Sequence, residues 1–213
     1  MGSEMCIRDS ANIASTEIDL AGNVAMRMAD DFQFTSFFLR RAIEGFENIH
    51  VVNLDQLTKM VIESASYLDA GKLIVAKALE HFFAKNYLEF IHLAIPQIEA
   101  AFRNLVTRFG GTTLKRGRHG SLNLRNLDEL VQESCINDLY EPFGDSVVQY
   151  LKILLTDQRG WNLRNCIAHG LSVPGGMGPM VADRLLHVLM LLASIREQTE
   201  TNSPSDCPTA TVV

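Results

Sequence analysis

The sequence predicts an all-α fold, an irregular bundle of helices. Apolar residues recur at steps of three and four positions in almost every segment between residues 12 and 197, which is the spacing of one helix face. The same range shows no run of alternating apolar and polar residues of the kind typical of strands. The breaks between the periodic segments are short, as between antiparallel neighbours in a helical bundle.

The first periodic segment covers residues 12–49, and residues 12–70 together are interpreted as an N-terminal helical extension. Asn53 or Asp55 is suited to cap a second helix, and Gly71 separates that helix from a third over about residues 72–84. The phenylalanines of the first segment are too dense for a solvent-exposed face, so we expect them to pack on the main body. They are Phe32, Phe34, Phe37, Phe38 and Phe46.

Residues 71–198 are interpreted as the main helical domain. Its longest helix is predicted over about residues 86–108, with a kink or a restart at Pro96. Four further helices are predicted at about 128–136, 145–155, 161–169 and 180–197, and those from 86–108, 145–155, 161–169 and 180–197 are expected to pack together. Residues 1–11 are expected to be disordered or a cloning remnant, and the Ser/Thr/Pro-rich tail over 199–213 to be disordered.

Composition limits the classes of function. The 213 residues are 47% hydrophobic with a net charge of −6, which predicts a packed core and argues against a surface coated for nucleic acid on all sides. The four scattered cysteines are interpreted as reduced thiols of an intracellular, cytoplasmic protein. No apolar run approaches the ~18 residues of a membrane span, so no membrane association is expected.

The segment Trp161–Gly170, WNLRNCIAHG, brings together a cation, an amide and an imidazole. Arg164 has a rigid fork of donors suited to a phosphate. His169 can transfer a proton near neutral pH. Asn165 can orient either group and cannot titrate. These three residues are therefore the candidate catalytic residues.

Two other clusters are candidates for supporting roles. Glu99 and Arg103 are four residues apart on the long helix. They form either a surface ion pair or a pair of groups that contact the residues of the motif and hold them in place. From Ala100 to Leu127 there is no acidic residue. The glycine-rich loop over 110–121 in this stretch is a candidate RNA-backbone contact, although most charged loops are only solvated surface. Its candidate residues are Lys115, Arg116, Arg118 and His119.

The string RNxxAHG over 164–170 resembles the signature of the HEPN superfamily, and more narrowly that of a family in it that carries RNxxAHG. The upstream string Ile95–Arg103, IPQIEAAFR, is similar to the PQIE helix of the same family. The resemblance covers roughly residues 80–195. It implies a HEPN-like helical domain that acts as a metal-independent ribonuclease without a cofactor, with RNA cleaved by attack of a ribose 2′-OH. An antitoxin-like or regulatory protein partner is a further possibility.

The spacing within the motif raises a geometric problem. Arg164 and His169 lie five residues apart, so one regular helix separates them by roughly 140°. The helix could end at Ala168–Gly170, or two copies could meet at a two-fold axis near His169. The resemblance implies the second arrangement, a homodimer.

Other interpretations of the motif remain open at this point. Arg164 could be an ion-pair partner of Glu99, and His169 a cation favoured by the C-terminal end of a helix dipole. Cys166 and His169 form a C-x-x-H pair, which could serve a hydrolase with a cysteine nucleophile. A zinc site would need a second ligand pair at the same kind of spacing, and the sequence has none. The sequence thus leaves two classes of function, an endoribonuclease and a non-catalytic dimeric module that binds RNA, a nucleotide or a protein.

Overall fold

The computed structural model describes residues 19–49, 53–171, 174–197 and 210–212. The predicted all-α class is confirmed, since these residues are mostly helical. The helices are α1 (Leu20–Asn48), α2 (Leu54–Glu63), α3 (Asp69–Phe83), α4 (Tyr87–Arg108), α5 (Leu127–Val131), α6 (Ser134–Leu139), α7 (Gly144–Leu155), α8 (Leu163–Ala168) and α9 (Pro179–Ala193).

Four short strands form two antiparallel pairs. β1 (Leu114–Arg116) pairs with β2 (Leu122–Leu124), and β3 (Ile195–Glu197) pairs with β4 (Ala210–Val212). β1 lies in the segment over 110–121 that was expected to be a loop, and β2 directly follows that segment. The last helix was predicted to reach residue 197 but ends at Ala193, where β3 follows. β4 lies in the tail that was expected to be disordered. Residues 1–18 and 198–209 lie outside the described residues.

Helix α4 is the centre of the core. It packs against α3 and α9 along its length, and against α8 and α5 as well. Its buried face includes Phe90, Ile98, Phe102 and Leu105, each at most 1% exposed. The helix runs unbroken through Pro96, so of the predicted kink or restart the restart does not occur. The predicted packing of the long helix on α9 and α8 is confirmed.

Helices α1 and α2 share this core although they precede the predicted main domain. α1 packs on α9 and α7, and α2 packs on α3 and α9. A buried ion pair joins α1 to α9, with Arg40 Nη2 2.6 Å from Asp183 Oδ1. The side chain of Asp183 is 1% exposed and that of Arg40 is 23% exposed.

The expectation that the phenylalanines of α1 pack on the body is wrong for four of the five. Phe32 is buried, whereas the other four are between 48% and 75% exposed. The reason is helical spacing, because α1 presents only one stripe to α9 and α7, and the remaining phenylalanines lie on other sides. The four exposed residues are Phe34, Phe37, Phe38 and Phe46.

The linker between α2 and α3 satisfies the carbonyl groups at the end of α9. Ser64 and Ser66 donate from Oγ to Leu192 O at 3.0 and 2.7 Å, and Tyr67 donates from its hydroxyl to Leu189 O at 3.1 Å. Asn104 of α4 donates to Ser66 O at 2.9 Å. The carbonyl groups at the C-terminal end of α9 therefore have hydrogen-bond donors, and this end of the helix can be buried.

Candidate functional site

The segment that carries the motif is anchored to α1 and α7 by Trp161. This side chain is 1% exposed, its Nε1–H donates to Ala29 O at 3.2 Å, and its ring meets that of Phe32 edge-on at 5.9 Å. The backbone N–H of Trp161 donates to Ile153 O at 2.8 Å. Gly160 makes this approach possible, because a Cβ at that position would lie 2.1 Å from Ile153 O.

Helix α8 begins at a residue with an unusual backbone conformation. Asn162 adopts φ 50° and ψ 35°, in the left-handed region that few residues other than glycine occupy. Its side chain is buried, and its Oδ1 accepts from Nδ2 of Asn165 at 2.7 Å. Asn162 therefore fixes the orientation of Asn165, a role that residue types and spacing gave no reason to predict.

Glu99, Arg164 and Asn165 form a chain of polar contacts between α4 and α8. Arg164 donates from Nε to Oε2 of Glu99 at 2.9 Å and from Nη1 to Oδ1 of Asn165 at 3.2 Å. Arg103 donates to the other oxygen of Glu99 at 3.0 Å and to Arg125 O at 3.0 Å. Both predicted supporting residues thus lie beside the motif, and Glu99 makes direct contact with it.

The charge of this cluster remains positive. Glu99 contributes one negative charge, and Arg103 and Arg164 contribute two positive charges, which leaves a net charge of +1. The side chain of Arg164 is 27% exposed. Its Nη2 makes no hydrogen bond within the described part of the chain. Arg164 is therefore held in one orientation with a donor left over, as an anion-binding group requires.

His169 lies at the end of α8, and the helix stops there as the sequence allowed. Gly170 has φ +64°, Gly170 N donates to Ile167 O at 3.2 Å, and Leu171 N donates to Cys166 O at 2.9 Å. This pair of bonds is the Schellman motif that terminates many helices at a glycine. The imidazole of His169 is exposed and makes no hydrogen bond or ion pair with any residue in the described ranges.

The arrangement bears on the interpretations left open by the sequence. The Arg164–Glu99 ion pair exists, so Arg164 has a structural role whatever else it does. Cys166 is 1% exposed, with Sγ 3.9 Å from Trp161 O, whereas His169 faces solvent. A buried thiol facing away from the imidazole gives no support to a Cys–His nucleophile.

The basic stretch forms an exposed β-hairpin, β1–β2, and part of its charge is neutralised. Nζ of Lys115 lies 2.8 Å from Oε2 of Glu129, and Arg125 pairs with Glu133. Sequence inspection missed these acidic partners because they come from the segment after the basic stretch. Arg116 and Arg118 are exposed with no ionic partner among the described residues. The side chain of His119 lies outside the described residues.

A cavity of about 450 Å³ lies between α2, α3 and the end of α4, lined by residues such as Tyr67, Lys72 and Arg108 and by none of the predicted catalytic residues. Within the described ranges, no group of three His, Cys, Asp or Glu side chains is placed to hold a metal ion. No described helix has the length and apolar character needed to cross a membrane.

Comparisons with models of known protein families, with curated proteins and with solved structures find no match to this chain.

Proposed function

We propose that this protein is a metal-independent endoribonuclease whose reaction centre is built from Arg164, Asn165 and His169. One observation carries the proposal. A single short helix holds an arginine oriented by a carboxylate and an amide, and the same helix ends at an exposed, unpaired histidine. These are the two kinds of group that a phosphodiester transesterification needs, one for charge and one for proton transfer.

The chemistry follows from what each group can do. The 2′-OH of a ribose attacks its own 3′-phosphorus, the O2′–P bond forms, and the P–O5′ bond breaks. His169 accepts the proton of the 2′-OH, and the protonated imidazole of a second copy's His169 delivers a proton to the departing 5′ oxygen. Arg164 stabilises the charge that develops on the phosphate oxygens. Asn165, itself held by Asn162, keeps Arg164 in its orientation.

The proposal includes a second copy of the chain at this site. One histidine cannot be on both sides of the phosphorus, whereas a two-fold axis near His169 supplies one imidazole as base and another as acid. The exposed position of His169 at the end of α8 is compatible with such an arrangement.

The second candidate function is a module that binds RNA, a nucleotide or a protein without cleaving it. The Arg164–Glu99 ion pair favours it, because that contact stabilises the fold and would be kept without any catalysis. Both functions use the same surface, so binding alone does not discriminate between them.

The test is cleavage of a labelled single-stranded RNA by the purified protein in the presence of EDTA. The proposal predicts internal cleavage with 2′,3′-cyclic phosphate and 5′-hydroxyl ends, and no cleavage of the DNA of the same sequence, which lacks the nucleophile. A substrate with a single 2′-deoxyribose at the cleaved position is the matched control and should resist cleavage there. Binding of this RNA without any cleavage would favour the second candidate.

A further inference from the structure

Helix α1 carries an exposed stripe that has the spacing of a coiled-coil seam. Eight residues recur at alternating steps of four and three, and every one of them is exposed. This is the repeat with which one helix faces another over its whole length. We define the α1 stripe as Leu20, Val24, Arg27, Asp31, Phe34, Phe38, Arg41 and Gly45.

The centre of the α1 stripe, with Phe37 directly beside it, is aromatic and turned away from the protein's own core. Phe34, Phe37 and Phe38 are 75%, 66% and 61% exposed, and the ring of Phe38 contacts the other two edge-on at 6.3 and 5.7 Å. The opposite face of α1 is already filled by α9 and α7. A cluster of three phenylalanines in water is unfavourable and points to a surface that another molecule covers.

We infer that the α1 stripe pairs with the α1 stripe of a second copy of this chain, antiparallel, about a two-fold axis level with Ser36. The charges of the stripe select this occupant and this direction. In that register Phe34 faces Phe38 of the second copy, Asp31 faces its Arg41, and Arg27 lies over its Gly45 beside Glu44. A parallel pairing would place Asp31 against Asp31 and Arg41 against Arg41, which repel.

The dimensions of the helix fit such an interface. With 29 residues, α1 is about 43 Å long. The exposed parts of the three central phenylalanines alone amount to roughly 400 Å², about half of the ~800 Å² that each partner contributes to a standard interface. Four further exposed apolar residues lie along the helix, and Gly45 leaves open space where helices approach. These four are Leu20, Val24, Phe46 and Ile49.

This inference does not rest on the proposed function, since it concerns a different helix and needs no RNA. If both pairings exist about different axes, the chain forms an assembly larger than a dimer, which closes as a tetramer when the two axes cross at right angles. In either case, disruption of the α1 stripe weakens the association that is measured without RNA. A substitution of His169 leaves the pairing of the two α1 stripes unchanged.

The test is sedimentation of the full chain over a dilution series. The parent should associate, and Phe34→Ser/Phe38→Ser should shift the midpoint of dissociation to at least about tenfold higher concentration, the loss expected for central aromatic residues of an interface. Leu73→Ser and Leu122→Ser, at residues 74% and 66% exposed elsewhere on the surface, are matched controls and should leave the midpoint unchanged. Circular dichroism checks that each variant keeps the parent's helix content.

Charge variants test the direction of the pairing. Asp31→Arg alone and Arg41→Asp alone should each dissociate, because each places like charges opposite one another. An equimolar mixture of the two should form a heterodimer, and the double variant should associate again as a homodimer. A parent that stays monomeric throughout, serine variants with the parent's midpoint, or single charge variants that no mixture rescues would each overturn the inference.

Discussion

Arg164 on the motif helix and Glu99 on the central helix meet at 2.9 Å, between Nε and Oε2, although 65 positions separate them in the sequence. The contact joins the six-residue helix α8 to α4, the central helix of the core. Glu99 is also bound by Arg103 at 3.0 Å. One carboxylate therefore binds two guanidinium groups and sets the direction in which Arg164 points.

Replacement of Glu99 by glutamine should destabilise the protein. Two partly buried guanidinium groups would lose a charged acceptor, at a cost of about 1.5–3 kcal/mol in the free energy of unfolding measured by urea denaturation. The matched control is Glu80→Gln, which breaks the exposed Lys77–Glu80 pair and should cost at most about 0.5 kcal/mol. Equal losses of stability from the two substitutions would show that the contacts of Glu99 contribute no more than an exposed ion pair.

The glycine that ends α8 has a conformational role that can be measured. Gly170→Ala should cost about 1 kcal/mol of stability, since alanine is strained at φ +64°. Gly170→Asn should cost less, because asparagine tolerates the left-handed region. Thermal unfolding of both variants checks this order. The reverse order, or no cost for alanine, would contradict the helix stop described at His169.

The buried ion pair between α1 and α9 should make stability depend on pH. Burial raises the pKa of Asp183 to about 6, with Arg40 beside it acting in the opposite direction. A carboxyl whose pKa is higher in the folded than in the unfolded state binds protons preferentially when folded. Its contribution to stability is therefore greatest below about pH 4 and is lost as pH rises through about 6.

Asp183→Asn should accordingly flatten the part of the stability profile between about pH 4 and 6, as measured by urea denaturation at several pH values. Arg40→Ala should destabilise more at pH 7 than at pH 5, because at pH 7 it leaves a buried carboxylate without its counter-charge. Lys59→Ala, at an exposed ion pair on α2, is the control and should show no such pH dependence.

The proposed function predicts that the hairpin contributes salt-dependent affinity for RNA, mainly through Arg116 and Arg118. Replacement of both by glutamine should reduce the slope of log affinity against log salt by up to about 1.4, the value for two phosphate contacts on a single strand. Lys115→Gln should change the slope less, because Lys115 is already paired with Glu129. Filter binding at several salt concentrations measures both. An equal effect of all three residues would mean that the ion pair opens on binding.

The sequence predicted the long helices well because each has an apolar stripe extended enough to set a period. It predicted Asn53 or Asp55 as a cap, and the side chain of Asn53 accepts from Gln56 N at 2.9 Å. The β1–β2 hairpin was missed because its strands have three residues each and are exposed on both faces, so no alternation arises.

The candidate site was only partly predictable for a related reason. Spacing predicted that Asn165 and His169 belong to one short helix, and His169 caps the end of α8. One interpretation already paired Arg164 with Glu99. The support from Asn162 and the neutralisation of Lys115 by Glu129 depend on contacts that no local pattern encodes. The exposure of Phe34 and Phe38 was missed because the number of phenylalanines in a segment does not tell which side of the helix packs against another helix.

We propose that His169 transfers a proton in RNA cleavage. A comparison of His169→Ala with the parent on one RNA in EDTA tests this role, with cleavage rate and binding affinity determined in the same buffer. Cleavage should be reduced by at least about 100-fold, the lower end for loss of a general acid–base group, with RNA affinity and melting temperature close to those of the parent. A folded His169→Ala variant that cleaves as fast as the parent would contradict it.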